Sequence, residues 1–177
     1  MNPAVPPAIT PRRRSILAAS MAAIMALLAP ALLSVSPRLT WNATASAPLG
    51  LYAVRPSATV RTGDMVLAWT PASVRALAAV RRYIPSSVPL IKRIVAGPGD
   101  TVCARGFSIV IDGRQVARRR AVDGRGRALP WWTGCRTLRA GECFLLMAKS
   151  PNSFDGRYFG PVRFSSILGR ATLLWRV

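Results

Sequence analysis

The sequence predicts a mainly β domain with one short helix, preceded by an N-terminal transmembrane helix. From residue 50 onward the apolar residues fall into short, β-branched runs punctuated by Gly and Pro. Pro71 to Tyr83 alone has helical spacing, with Val74, Leu77, Ala78 and Val80 on one side. Residues 15 to 37 carry no charged side chain, and they follow Arg12, Arg13 and Arg14.

Three stretches follow in order. Residues 1–14 form a Pro-rich, basic N-terminus, expected on the cytoplasmic side because basic residues flank the retained end of a span. Residues 15–35 are expected to be a single-pass anchor, since about 18 to 20 apolar residues cross a ~30 Å hydrocarbon layer. A cleaved signal peptide is the rival, with processing near Ser34 to Ser36 or at Ala45-Ser46-Ala47. Residues 36–177 are left as one domain of about 140 residues, an ordinary size for a single core. Within it, strands are expected at Leu51 to Val54, Met65 to Trp69, Leu90 to Ala96, Thr101 to Cys103, Phe107 to Ile111, Cys143 to Ala148 and Ala171 to Trp175. Asp112-Gly113 is a two-residue hairpin turn between Ser108-Ile109-Val110-Ile111 and Gln115-Val116-Ala117, both turn positions needing positive φ. Pro85 is expected to stop the helix, and Arg118 to Thr133, charged and Gly-rich, reads as a long irregular loop.

Composition removes several classes of chemistry. The chain of 177 residues has 25 Lys+Arg against 6 Asp+Glu, a net charge of +19. Outside the clusters Arg12 to Arg14 and Arg118 to Arg120 the arginines are dispersed, and no nucleic-acid motif accompanies them, so a solvated surface or an anionic membrane is expected and nucleic acid is not. There is no histidine, which excludes Ser-His-Asp and Cys-His triads. No metal or organic cofactor is expected. Three cysteines lack metal-ligand spacing; either all are small buried apolar residues, or one pair, Cys103 with Cys135, closes a bridge in an oxidising compartment.

Only Lys92 and Lys149 are lysines, in a chain that otherwise uses arginine for every positive charge. Arginine keeps its proton near neutral pH, whereas a desolvated lysine can release it and act as a base. Strand alternation puts Lys92 on one face with Leu90 and Ile94, an apolar setting that favours the neutral amine; the alternative is an ammonium snorkelling to water. Ser46 lies among small residues, in Thr44-Ala45-Ser46-Ala47-Pro48, where a serine is also an ordinary turn residue. Ser153 and Asp155 sit in Asn152-Ser153-Phe154-Asp155-Gly156-Arg157-Tyr158, able to orient the lysine, with an Asp155–Arg157 turn pair as the alternative.

In order and spacing, these segments resemble the boxes of the signal peptidase I superfamily: Ser46 after the apolar segment, Gly63-Asp64-x-Val66, Lys92-Arg93 with Gly97-Pro98-Gly99-Asp100, Asn152-Ser153-x-Asp155-x-Arg157-Tyr158, and Gly169-Arg170-Ala171. Thr44-x-Ser46-x-Pro48-x-Gly50-Leu51-Tyr52, Pro130-Trp131 with Gly134-Cys135, and Ser153 to Gly160 look more like the conjugal-transfer TraF-type peptidases within it. The chain departs from the general pattern at Ser46-Ala47, where Ser-Met stands in the family, and at Ala148-Lys149-Ser150, where Gly-Asp-Asn stands. The resemblance implies a largely antiparallel, signal-peptidase-like β domain. It also implies a Ser-Lys endopeptidase in which Ser46 is the nucleophile and Lys92 the general base. Thr44 and the Ser46 N–H would be oxyanion donors, with Ser153, Asp155 and Arg157 in support. Cleavage after small residues, maturation of a conjugative pilin precursor and a periplasmic catalytic domain on the inner membrane are further expectations, with conjugation-apparatus components as additional partners. The alternatives are a general signal peptidase and a non-catalytic component of a conjugation or secretion apparatus.

Overall fold

A computed structural model of the chain describes residues 11–32, 38–56 and 59–177, and the chain divides into two units, Met1–Ser36 and Pro37–Val177. Among its described residues the first unit has the helix α1 (Pro11–Leu32). The helix begins at Pro11, ahead of the expected span 15–35; residues 1–10, 33–35 and the alternative processing site at Ser34 to Ser36 lie outside the described residues. Among the described residues no helix is long and apolar enough to cross a membrane, so the expected transmembrane helix is not found there.

The second unit is built from β1 (Leu39–Asn42), β2 (Gly50–Arg55), β3 (Met65–Ala68), α2 (Ala72–Val80), β4 (Leu90–Ala96), β5 (Thr101–Arg105), β6 (Ser108–Ile111), β7 (Arg114–Arg118), β8 (Gly134–Thr137), β9 (Glu142–Leu146), α3 (Gly156–Phe159), β10 (Val162–Arg163) and β11 (Ile167–Arg176). Among the described residues these strands form a seven-stranded sheet in the order β1-β2-β11-β3-β4-β9-β10 and a four-stranded sheet in the order β7-β6-β5-β8. Every pairing is antiparallel. The mainly β expectation therefore holds, with three strands (β1, β8, β10) and the single-turn α3 added to it. Those strands are short, and β8 is exposed throughout, so none shows the apolar alternation that marks a strand in sequence. The turn between β6 and β7 has Asp112 at φ 46° and Gly113 at φ 79°, the positive-φ pair its residues call for. Helix α2 ends at Val80, well before Pro85, and the chain turns away through Arg82 at φ 59°.

Four apolar clusters are buried among the described residues, and three of them join strands. Phe144 and Leu146 of β9 pack with Val102, Ala104, Ile109 and Ile111, joining the small sheet to the large one. Val66 and Ala68 of β3 pack with Ile94 and Leu145. Leu67 and Ile91 pack with Tyr52, Val54 and Ala47, so the β1–β2 loop is seated on β3 and β4 by its own alanine. Each fully buried Leu, Ile or Phe contributes about 1.5–3 kcal/mol over an exposed one. The β4–β9 register brings two distant segments together. Arg93 lies opposite Leu146, so the chain leaving β9 at Met147 begins beside Lys92.

Candidate active site

Lys92 is the centre of the site. On β4 it faces Val66 of β3 and shares a side with Leu90 and Ile94, and it is 1% exposed. Its Nζ lies 2.8 Å from Ser46 Oγ and 2.9 Å from Ser153 Oγ. Burial lowers its pKa to about 8 from an ordinary 10.5; the Asp155 carboxylate opposes this and the Arg157 guanidinium adds to it. An amine with that pKa spends a useful fraction of time neutral near pH 7 to 8 and can take a proton from a hydroxyl it touches.

Ser46 is presented by the β1–β2 loop, whose shape is set by Asn42. The Asn42 Nδ2 donates to the carbonyls of Thr44 (3.0 Å), Ala47 (3.1 Å) and Pro48 (2.9 Å), and its Oδ1 accepts from the Thr44 N–H at 3.2 Å. Tyr52 OH donates to the Pro48 carbonyl at 2.9 Å and fixes the loop from the far side. The Thr44 hydroxyl lies 3.0 Å from Asn42 Oδ1, to which it donates, and 3.4 Å from Ser46 Oγ. Thr44 is thus beside the serine, as the resemblance implies, but its proton is engaged. Nothing in the sequence pattern singles out Asn42, and Tyr52 stands there only as the last residue of the serine box. Their importance comes from carbonyls that only the folded loop brings within reach.

Asp155, Arg157 and Ser153 meet behind the lysine. Asp155 and Arg157 are 0% and 1% exposed and form an ion pair of 3.1 Å. Asp155 caps α3 by accepting from the Arg157 N–H at 3.2 Å, and it also accepts from the Met147 N–H at 3.0 Å. Arg157 donates to the carbonyls of Met147 (2.6 Å) and Pro151 (3.2 Å), tying the start and the middle of the 147–155 loop. Ser153 reaches Lys92 by hydrogen bond. Asp155 instead spends its oxygens on Arg157 and the backbone, and acts on the lysine through its charge.

The site opens into a cavity of about 570 Å³, lined by Thr44, Ala45, Ser46 and Lys92 together with parts of the 118–133 loop and of the 150–154 segment. Cys103 and Cys135 are a register pair between β5 and β8 and are joined by a 2.05 Å S–S bond; Cys143 is free and buried. Arg119, which carries no signal in the sequence, is buried against the Trp131 ring and donates to the carbonyls of Gly106 and Trp132.

The β domain presents a serine hydroxyl to a buried lysine amine at the mouth of a cavity. The family model described as signal peptidase, peptidase S26, matches residues 12–176, and the chain belongs to that family. It is 34% identical over 146 residues to the plasmid transfer protein TraF of Escherichia coli, covering 76% of this chain and 82% of that protein. It is 37% identical over 143 residues to the conjugal transfer protein TraF of Agrobacterium fabrum, covering 73% and 78%. A solved signal peptidase I from Enterococcus faecalis is 22% identical, with a TM-score of 0.39, over 64% of this chain and 97% of that one.

Proposed function

We propose that this chain is a Ser-Lys endopeptidase that cuts exported precursors after small residues, with a conjugative pilin precursor as its substrate. The observation that carries the reading is the 2.8 Å contact between Ser46 Oγ and a Lys92 amine whose pKa burial lowers to about 8. In the neutral amine, the Ser46 hydroxyl donates to Nζ. Oγ attacks the scissile carbonyl while its proton passes to Lys92, which then protonates the leaving amine. Lys92 next takes a proton from the water that attacks the acyl-enzyme and returns it to Ser46 Oγ as the ester bond breaks. The Ser46 N–H and the Thr44 hydroxyl serve the developing oxyanion, Thr44 by turning from Asn42. Ser153 holds Lys92 in place, and the Asp155–Arg157 pair holds the loop that carries Ser153.

The similarity to conjugal transfer proteins supports the pilin substrate. The oxidised Cys103–Cys135 pair is in keeping with a periplasmic location. The reading holds the catalytic domain at the inner membrane through the N-terminal segment, where tethered precursors meet it at raised effective concentration.

The test is cleavage of pilin and secretory precursors in membranes by wild type, Ser46→Ala and Lys92→Arg. Both variants are expected to lose cleavage at least about a thousandfold, because each removes a member of one catalytic unit. Cleavage surviving in both sinks the dyad. Cutting of many secretory precursors selects a general signal peptidase, and no cutting by wild type selects a non-catalytic component.

A further inference from the structure

Within the 118–133 loop, Val122 and Ala128 form an antiparallel bridge, and Leu129 N–H donates to the Ala121 carbonyl at 2.8 Å, closing a small hairpin. Its Val122, Gly124 and Leu129 line the cavity, as do Tyr83 and Ile84 from beyond the end of α2. One carboxylate holds the two sides together. Asp123 Oδ2 accepts from Tyr83 OH at 2.6 Å and from Arg127 Nε at 2.7 Å, while Oδ1 accepts from the N–H groups of Arg125 and Arg127 at 2.8 and 2.9 Å. Arg81 donates to the Ala128 carbonyl, and Arg127 to the Arg81 carbonyl, across the same seam.

We propose that Asp123 is a positioning residue that clamps the 121–129 hairpin to Tyr83 as one wall of the substrate cavity, and so determines which substrate side chains that cavity admits. The proposal rests on the proteolytic reading above. The part of the cavity this wall shapes is apolar. Leu90, two residues before Lys92 on the same strand face, packs with Ile84 and Phe154, while Val122 and Leu129 complete the lining. It suits an apolar substrate side chain whose fit depends on where the hairpin sits. Tyr83 packs at a tilt against Phe154 (5.2 Å between ring centres), and Phe154 lies in the segment that bears Ser153, so the wall and the Lys92 support share a framework without sharing a hydrogen bond. The Tyr83 hydroxyl, with the donors from Arg125 and Arg127, holds the Asp123 carboxyl well below the usual carboxylate range, so the clamp stays charged wherever Lys92 titrates.

The test uses the full chain in membranes, with Asp123→Asn and Tyr83→Phe, neither of which touches the dyad. Hydrogen exchange over 121–129 reads the clamp; cleavage of a quenched-peptide library varied one position at a time reads specificity. Both variants are expected to exchange about tenfold faster in that segment. KM for the preferred peptide is expected to rise about tenfold, with kcat within about twofold, a broader side-chain profile and an unmoved pH profile. Unchanged exchange overturns the clamp; faster exchange with KM and profile unchanged overturns its role in specificity. Ser46→Ala is carried in parallel. A wild type no more active than Ser46→Ala removes the proteolytic reading and the specificity role with it, and exchange still decides the clamp.

Discussion

Lys92 and Lys149 differ only in where the fold puts them. Lys149 is exposed, whereas Lys92 is enclosed among Leu90, Val66 and Ile94 with two hydroxyls at its tip. An ammonium there loses hydration that two neutral hydroxyls replace poorly, and the amine drops to a pKa of about 8. If Lys92 is the general base, its protonated form is inactive. The rate kcat/KM should therefore rise with pH through a single ionisation near 8 and level off above it. A pH–rate profile that stays flat from about pH 6 to about pH 10 would contradict the assignment. The scarcity of lysine made Lys92 legible in the sequence. Ser46 was legible only by its place among the family boxes, and Asn42 not at all, because its partners are backbone carbonyls of a loop whose path no side-chain pattern encodes.

Among the elements, the 147–155 loop and the single turn of α3 show how backbone and buried charge cooperate. Asp155 and Arg157 together satisfy the N–H of Met147 and the carbonyls of Met147 and Pro151, groups left over where β9 stops pairing. This works only because α3 approaches β9 closely at Gly156. A Cβ there would sit 2.7 Å from the Leu145 carbonyl oxygen and 2.7 Å from the Phe144 ring. Gly156→Ala should therefore cost about 1–3 kcal/mol by overpacking, and it should lower activity by shifting Ser153 from Lys92. Thermal melts and precursor cleavage on the same sample check both. A melting point within about 1 °C of wild type would show that the approach tolerates a methyl group. The strands β2 to β7 and β9 were readable from β-branched runs and the Asp112-Gly113 turn. β1, β8 and β10 were not, because they pair at sheet edges or expose their side chains and so need no apolar alternation.

Across the molecule, the small sheet is fastened in two ways. Phe144 and Leu146 bury it against β9, and the Cys103–Cys135 bond links β5 to β8 over a separation of 32 residues. Replacing both cysteines with serine should lower unfolding free energy by about 2–4 kcal/mol, chiefly by freeing the unfolded chain, as denaturant titration of the domain will measure. An unchanged midpoint would mean that packing alone holds β8. By itself the sequence determined the fold class, the candidate dyad and the absence of any histidine-based mechanism, because strand periodicity, residue scarcity and ordered boxes are local or countable properties. The tertiary structure decided the rest: that Ser46 and Lys92 touch, that Asp155 serves the loop instead of bonding the lysine, and that Asp123 ties a cavity wall to Tyr83. Each of these depends on atoms far apart in the chain meeting at hydrogen-bond distance, and only the register of the sheets and the packing between them sets that distance.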